Sequence, residues 1–124
     1  MERLTQPEED ALRVLWPLLG GGFVKDVLDG LPAPRPPYTT LASTLRNLER
    51  KGYVRAEKLG NSFRFAPLVS ADDYQRRSLG ALVKQHFQDS YKDLVSFFAQ
   101  EQKISAKELQ EIIDLIEKQK PSQP

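Results

Sequence analysis

The side chains best suited to chemistry are hydrogen-bond donors spaced along one predicted helix, from Tyr38 to Lys51. At 100° per residue, hydroxyl, amide and guanidinium groups share one face of this helix, and acids are absent from that face. The donors are Thr39, Ser43, Arg46, Asn47 and Arg50, with Thr40 on the flank. Such groups can reach base edges and phosphates in a DNA major groove, so the pattern favours nucleic-acid contact over an ordinary solvated surface.

Three predicted helices and a hairpin must position these donors. The capping pattern Thr5 to Glu8 begins the first helix, whose apolar stripe is Ala11, Leu12, Leu15, Leu18 and Leu19, before Pro17 and the glycines at 20–22 end it. A second short apolar stripe covers 23–31 and predicts the second helix. The third helix has Tyr38, Leu41, Leu45 and Leu48 on its apolar side, and it stops at Gly52. Residues 53–59 and 63–67 alternate as strands around the turn Gly60-Asn61-Ser62. The sequence thus predicts a mainly α fold with a small β-hairpin wing, a winged helix-turn-helix domain over residues 1–69.

For residues 70–124 the sequence predicts a helical dimerisation region, with a disordered C-terminal end at 120–124. A helix should run from the cap at Ser70 to Phe87, a second should cover 91–99, and a last one should open at the capping box Ser105 to Glu108. Their apolar side chains need a partner, and a homodimer is the economical solution, although folding back on the first domain stays open. The expected dimer residues are Phe87, Tyr91, Leu94, Val95, Phe98, Leu109, Ile112, Ile113 and Ile116.

Charge and composition narrow the function classes. Residues 35–64 hold seven Lys/Arg against two acids, a net +5, whereas residues 89–117 hold three Lys against seven acids, a net −4. A basic middle suggests a surface that meets an anionic polymer. The chain has no Cys, and its single His, His86, lacks metal-ligand spacing, so we expect no enzyme, no cofactor and no metal site. With no apolar signal core in residues 1–10 and no window long enough to span a bilayer, we expect a cytoplasmic protein without membrane insertion.

The order and spacing of three segments resemble the penicillinase repressor family. They are 4–16, 38–54 and 94–99, followed by the helix at 104–113, and the resemblance covers about residues 4–118. It implies a cytoplasmic bacterial repressor that binds double-stranded palindromic operators as a homodimer. By position, Thr40, Ser43 and Arg46 would reach bases, with Asn47 where many relatives carry Arg. The wing residues Lys58, Asn61, Ser62 and Arg64 would contact phosphates.

In antibiotic-responsive members of that family, a membrane sensor protease relieves repression by cutting the dimerisation region. The corresponding bond here would join Ser96 and Phe97, with Ser in place of the family's Asn. The copper-responsive branch uses Cys ligands, which this chain lacks. The alternative to a repressor is a winged-helix protein-interaction module without specific DNA binding, because the fold alone does not establish DNA binding.

Overall fold

The computed structural model of the chain describes residues 2–119. Within them lie six helices and a three-stranded antiparallel sheet, which confirms the mainly α fold with a hairpin wing. The elements are α1 (Gln6–Leu15), β1 (Gly22–Phe23), α2 (Val24–Gly30), α3 (Tyr38–Arg50), β2 (Val54–Leu59), β3 (Ser62–Pro67), α4 (Ala71–Phe87), α5 (Tyr91–Gln100) and α6 (Ala106–Gln119). The end predicted to be disordered, 120–124, lies outside the described residues. The chain divides into a first unit up to Arg76 and a second from Arg77, a division that falls within α4.

Helix α1 begins at the predicted cap but ends earlier than the apolar stripe suggested. Thr5 and Glu8 form a reciprocal capping box, in which the Thr5 backbone N–H donates to Glu8 Oε1 at 2.8 Å. The helix stops at Leu15 because Pro17 has no N–H with which to extend it. The inclusion of Leu19 in the stripe was therefore wrong, since this side chain is fully exposed.

The core of the first unit lies between α1, α2, α3 and the sheet. The buried side chains are Ala11, Leu12, Leu15, Val24, Val27, Leu31, Leu41, Leu45, Leu48, Tyr53, Val54, Phe65 and Val69. Three of the four predicted apolar positions of α3 are among them, which fixes the opposite face of this helix toward solvent. Tyr38 was also placed on the apolar side, yet it is 55% exposed, because it is the first residue of α3 and its ring borders a surface groove.

The sheet has the strand order β1-β3-β2, and β1 was not predicted. Gly22 pairs with Phe65 and Phe23 with Arg64. The preceding Gly21 has φ +91°, and a Cβ there would lie 2.3 Å from the Phe65 carbonyl oxygen, so this approach requires glycine. In the hairpin, Leu59 pairs with Ser62, which makes Ser62 the first residue of β3 and leaves Gly60 and Asn61 as a two-residue turn.

An aromatic cluster fixes the start of α4 within the first unit. The Trp16 indole N–H donates to the Val69 carbonyl at 2.9 Å, and the Trp16 and Tyr74 ring centroids are 5.7 Å apart. Tyr53 meets Tyr74 edge to face at 5.9 Å. The first turn of α4 therefore packs as part of the winged-helix unit.

The second unit contains the remainder of α4 together with α5 and α6. The predicted capping box of α6 is present, with the Ser105 N–H donating to Glu108 Oε1 at 2.9 Å and the Glu108 N–H donating to Ser105 Oγ at 3.0 Å. These hydrogen bonds lower the pKa of Glu108 below its ordinary value. Within residues 2–119, no helix combines the length and the apolar character needed to cross a lipid bilayer.

Candidate nucleic-acid interface

The outward face of α3 presents the predicted donors to solvent. All six are exposed: Thr39, Thr40, Ser43, Arg46, Asn47 and Arg50. Burial of Leu41, Leu45 and Leu48 on the other side holds them there, because the 3.6-residue period sends the two sets in opposite directions. The donors of α3 are therefore exposed to solvent while its leucines remain buried in the core.

A groove of about 420 Å³ runs between α3 and the hairpin. It brings together five of the predicted site residues, Ser43, Arg46 and Asn47 from α3 with Asn61 and Ser62 from the wing. The other five, Thr39, Thr40, Arg50, Lys58 and Arg64, do not line it. The groove also has an apolar lining that the sequence pattern did not indicate, formed by Val24, Tyr38, Ala42, Phe63 and Phe65. The alternation of Phe63 and Phe65 in β3 marks them as sharing one face of the sheet, but only the pairing with β1 shows which face it is.

Arg46 is the most constrained donor in this groove. Its guanidinium carbon lies 3.9 Å from the centroid of the Phe63 ring and 5.8 Å from that of Phe65. Its Nη1 donates to Glu49 Oε1 at 2.8 Å. The expectation that acids are absent from this face was therefore wrong at its edge, because Glu49 is one turn from Arg46 and within reach of it.

Most of the basic residues in the middle of the chain have partners inside the protein. Arg35 donates to the Leu31 and Asp29 carbonyls and so caps α2. The ion pairs are Arg46–Glu49, Arg50–Glu2, Lys51–Glu8 and Arg64–Glu57. Among residues 2–119, Arg55 and Lys58 form no such ion pair, and both are exposed on β2. Apart from Arg35, whose partners are carbonyl oxygens, the basic residues of 35–64 that have no acidic partner in the described part of the chain are therefore both on the wing.

A buried ion pair joins the end of α3 to the start of α1. Lys51 Nζ lies 2.7 Å from Glu8 Oε1 and 3.0 Å from the Arg3 carbonyl oxygen, and the two charged side chains are only 9% and 5% exposed. Burial acts to raise the pKa of Glu8, but the hydrogen bonds from Lys51 and Thr5 outweigh it, so the pKa lies below its ordinary value. Lys51 therefore joins the C-terminal end of α3 to the start of α1, and its ammonium group is used within the protein.

The second unit exposes large apolar side chains. Among the predicted dimer residues, Tyr91 is 58% exposed, Ile113 43% and Ile116 53%. Phe98 and Ile112 are also exposed, whereas Phe87, Leu94, Val95 and Leu109 are half-buried. Large exposed apolar patches on a protein surface are typical of interaction sites.

The Ser96–Phe97 bond lies in the second half of α5. The Phe97 ring contacts the rings of Phe87 and Phe98, with centroids 5.9 Å and 5.4 Å apart, and Ser96 is half-buried. Both residues are therefore part of a packed helix and not of a loop. Within residues 2–119, acidic and histidine side chains form no cluster suited to holding a metal ion.

Three helices followed by a β-hairpin define this chain as a winged-helix protein. The sequence matches the penicillinase repressor family over residues 4–118, and the chain belongs to that family. Comparison with curated proteins gives no match. The family assignment makes this a DNA-binding transcriptional repressor.

Proposed function

We propose that this repressor binds a palindromic operator as a homodimer, with α3 in the major groove and the hairpin along the DNA backbone. The observation that carries the proposal is the groove in which Ser43, Arg46 and Asn47 face Asn61 and Ser62. A recognition helix and a wing whose polar side chains share one groove can contact base edges and phosphates of one DNA segment together.

Each part of the interface has a distinct role in this proposal. Thr40, Ser43 and Arg46 contact base edges, and the Asn47 amide can form two bonds to an adenine where an Arg would select guanine. Lys58, Asn61, Ser62 and Arg64 contact phosphates, which positions the duplex without reading its sequence. Thr39 and Arg50, at the two ends of the same exposed face, add contacts to the backbone.

The decisive comparison is Arg46→Ala against Lys58→Ala. Arg46→Ala should cost about 1–3 kcal/mol on the operator and relax its specificity, while Lys58→Ala should weaken operator and random duplex alike. Binding is measured by fluorescence anisotropy of labelled duplexes over a series of salt concentrations. Equal losses on both duplexes for Arg46→Ala would contradict its role, and an affinity independent of salt would favour a protein-interaction module over DNA binding.

We propose that the exposed apolar side chains of α5 and α6 form the dimer interface. The supporting observation is that Ile112, Ile113 and Ile116 lie at spacings of three and four residues on α6 and are all exposed in the single chain. An operator with two-fold symmetry requires two copies of α3, so a dimer also supplies the second half-site contact.

Sedimentation equilibrium tests the dimer. Ile112→Asp, or Ile116→Asp, should yield a monomer with a folded first unit, whereas the exposed polar change Lys107→Ala on the same helix should leave the dimer intact. A wild-type chain that sediments as a monomer at tens of micromolar would refute the interface.

We further propose that repression is relieved by a membrane sensor protease that cuts between Ser96 and Phe97. Such a cut would separate α6 from the DNA-binding unit, and loss of the dimer would weaken operator binding through loss of bivalence. Because the bond lies in a helix, cleavage requires local unfolding of α5. Mass spectrometry of the repressor after coexpression with such a protease should find fragments ending at Ser96 and beginning at Phe97; fragments cut elsewhere would refute this site.

A further inference from the structure

The guanidinium of Arg46 is held on two sides by residues outside the predicted interface. The Phe63 ring lies beneath its plane, with the central carbon 3.9 Å from the ring centroid, and Glu49 accepts a hydrogen bond from Nη1 at 2.8 Å. A ring under a planar cation fixes its height and tilt, and a carboxylate at one corner fixes its rotation.

The opposite edge of this guanidinium remains open. Nε and Nη2 form the edge of an arginine that points away from Nη1, and no hydrogen bond from either atom to a residue within 2–119 occurs. The side chain is 44% exposed and lines the groove, and among the described residues its Nε and Nη2 donors are free of protein partners. Two parallel N–H donors match the N7 and O6 acceptors that guanine presents in the major groove.

We propose that Phe63 and Glu49 are positioning residues that set the base specificity of Arg46 by presenting its Nε–Nη2 edge to a guanine of the operator. This inference rests on the proposed function and deepens it. A free arginine must give up rotamer freedom when it binds a base, whereas Arg46 gives it up when the protein folds. The binding free energy of the contact with guanine then becomes more favourable, whereas that with other bases, which do not match the two donors, does not.

The arrangement also links base contact to the wing. Phe63 lies in β3 directly opposite Lys58 of β2, and it packs against the core of the first unit. The strand that supports Arg46 therefore pairs with the strand that carries an unpaired cation. Displacement of the hairpin would move the support of Arg46 and the phosphate contact together.

The test uses a duplex selected by the wild-type protein from a pool of random sequence, with a random duplex for comparison. Phe63→Leu removes the ring and keeps an apolar side chain, while Phe63→Tyr keeps the ring and serves as its matched control. Phe63→Leu should weaken binding to the selected duplex by about three- to tenfold and leave the random duplex unchanged. Phe63→Tyr should bind both duplexes like wild type. In an Arg46→Ala background, Phe63→Leu should cause no additional loss.

Glu49→Ala provides an independent measurement at a surface position. Removing this charge should strengthen binding to every duplex, but the ratio of selected to random affinity should fall, because Arg46 loses its hydrogen bond. Glu57→Ala is the matched control: it removes an acid paired with Arg64 at 3.4 Å, and it should strengthen binding without lowering the ratio. Thermal unfolding of each variant establishes that it is folded. If Phe63→Leu does not fold, the affinity ratio of Glu49→Ala by itself tests whether Arg46 is positioned by its neighbours.

Three outcomes would overturn the inference while leaving the repressor intact. These are equal loss on both duplexes for Phe63→Leu, the same loss with and without Arg46, or an unchanged affinity ratio for Glu49→Ala. A wild-type protein that selects no sequence from the pool would instead refute the proposed function, and this inference with it.

Discussion

Replacement of Lys51 by methionine tests how firmly the end of α3 is joined to α1. Methionine keeps the apolar stem and removes the ammonium, which leaves the Glu8 carboxylate buried with only the Thr5 contacts of the capping box. A hydrogen bond to a charged group contributes about 1.5–3 kcal/mol, and removal of one partner from a buried pair costs about 3–5 kcal/mol. Because Glu8 retains the Thr5 N–H, we expect a loss of about 3 kcal/mol in the free energy of unfolding.

The pH dependence of this variant should have the opposite sign to that of the wild type. In the wild type the pKa of Glu8 is lowered, so its contribution to stability is complete above the ordinary carboxyl pKa and is lost as the pH falls through the lowered value. Without Lys51, burial is the largest single influence on this carboxyl and is opposed only by the Thr5 hydrogen bonds, so we expect it to raise the pKa of Glu8 above the ordinary value. The variant should therefore gain stability relative to the wild type as the pH falls from about 7 to about 5.

Urea unfolding followed by circular dichroism over this pH range measures both effects. The double variant Glu8→Gln/Lys51→Met is the control, because glutamine still accepts the Thr5 N–H but carries no charge. It should recover part of the loss and show no pH-dependent gain. A loss below about 0.5 kcal/mol for Lys51→Met, with an unchanged pH profile, would show that the pair behaves as a solvated surface pair and would refute the reasoning.

Two glycines give predictions of opposite sign. Gly21→Ala should destabilise the first unit by about 2 kcal/mol or more, because its φ is +91° and the new Cβ would meet the Phe65 carbonyl oxygen at 2.3 Å; a urea midpoint equal to that of wild type would contradict the β1–β3 pairing. Gly80→Ala should stabilise the protein by about 1 kcal/mol, because a Cβ at this helical position meets only the Tyr91 hydroxyl, at 3.8 Å. A lowered urea midpoint for Gly80→Ala would indicate instead that another backbone approaches α4 there.

Local signals in the sequence were sufficient for the helices and the hairpin. The capping boxes at Thr5 and Ser105 predicted the starts of α1 and α6, and the 3.6-residue spacing of Leu41, Leu45 and Leu48 predicted which face of α3 is buried. These signals act within one or two turns of chain, so their outcome does not depend on distant residues.

Features that depend on distant residues were missed. Strand β1 is only two residues long and exists because β3 pairs with it, some 40 positions later in the chain. The burial of Lys51 against Glu8 and the stacking of Arg46 on Phe63 likewise require elements to be packed together first. For the candidate site, the exposed donors of α3 could therefore be predicted from spacing, but the groove and the groups that restrain Arg46 could not.

The aromatic cluster of Trp16, Tyr53 and Tyr74 has a practical consequence for spectroscopy. Trp16 is the single tryptophan of the chain. Its indole N–H donates a hydrogen bond to the Val69 carbonyl within the first unit, and its side chain does not line the groove. Its emission should report the unfolding of the winged helix and remain nearly constant when a duplex binds. Far-ultraviolet dichroism, by contrast, responds to all six described helices. Recording both signals on one sample would separate dissociation and melting of the C-terminal helices from loss of the DNA-binding fold.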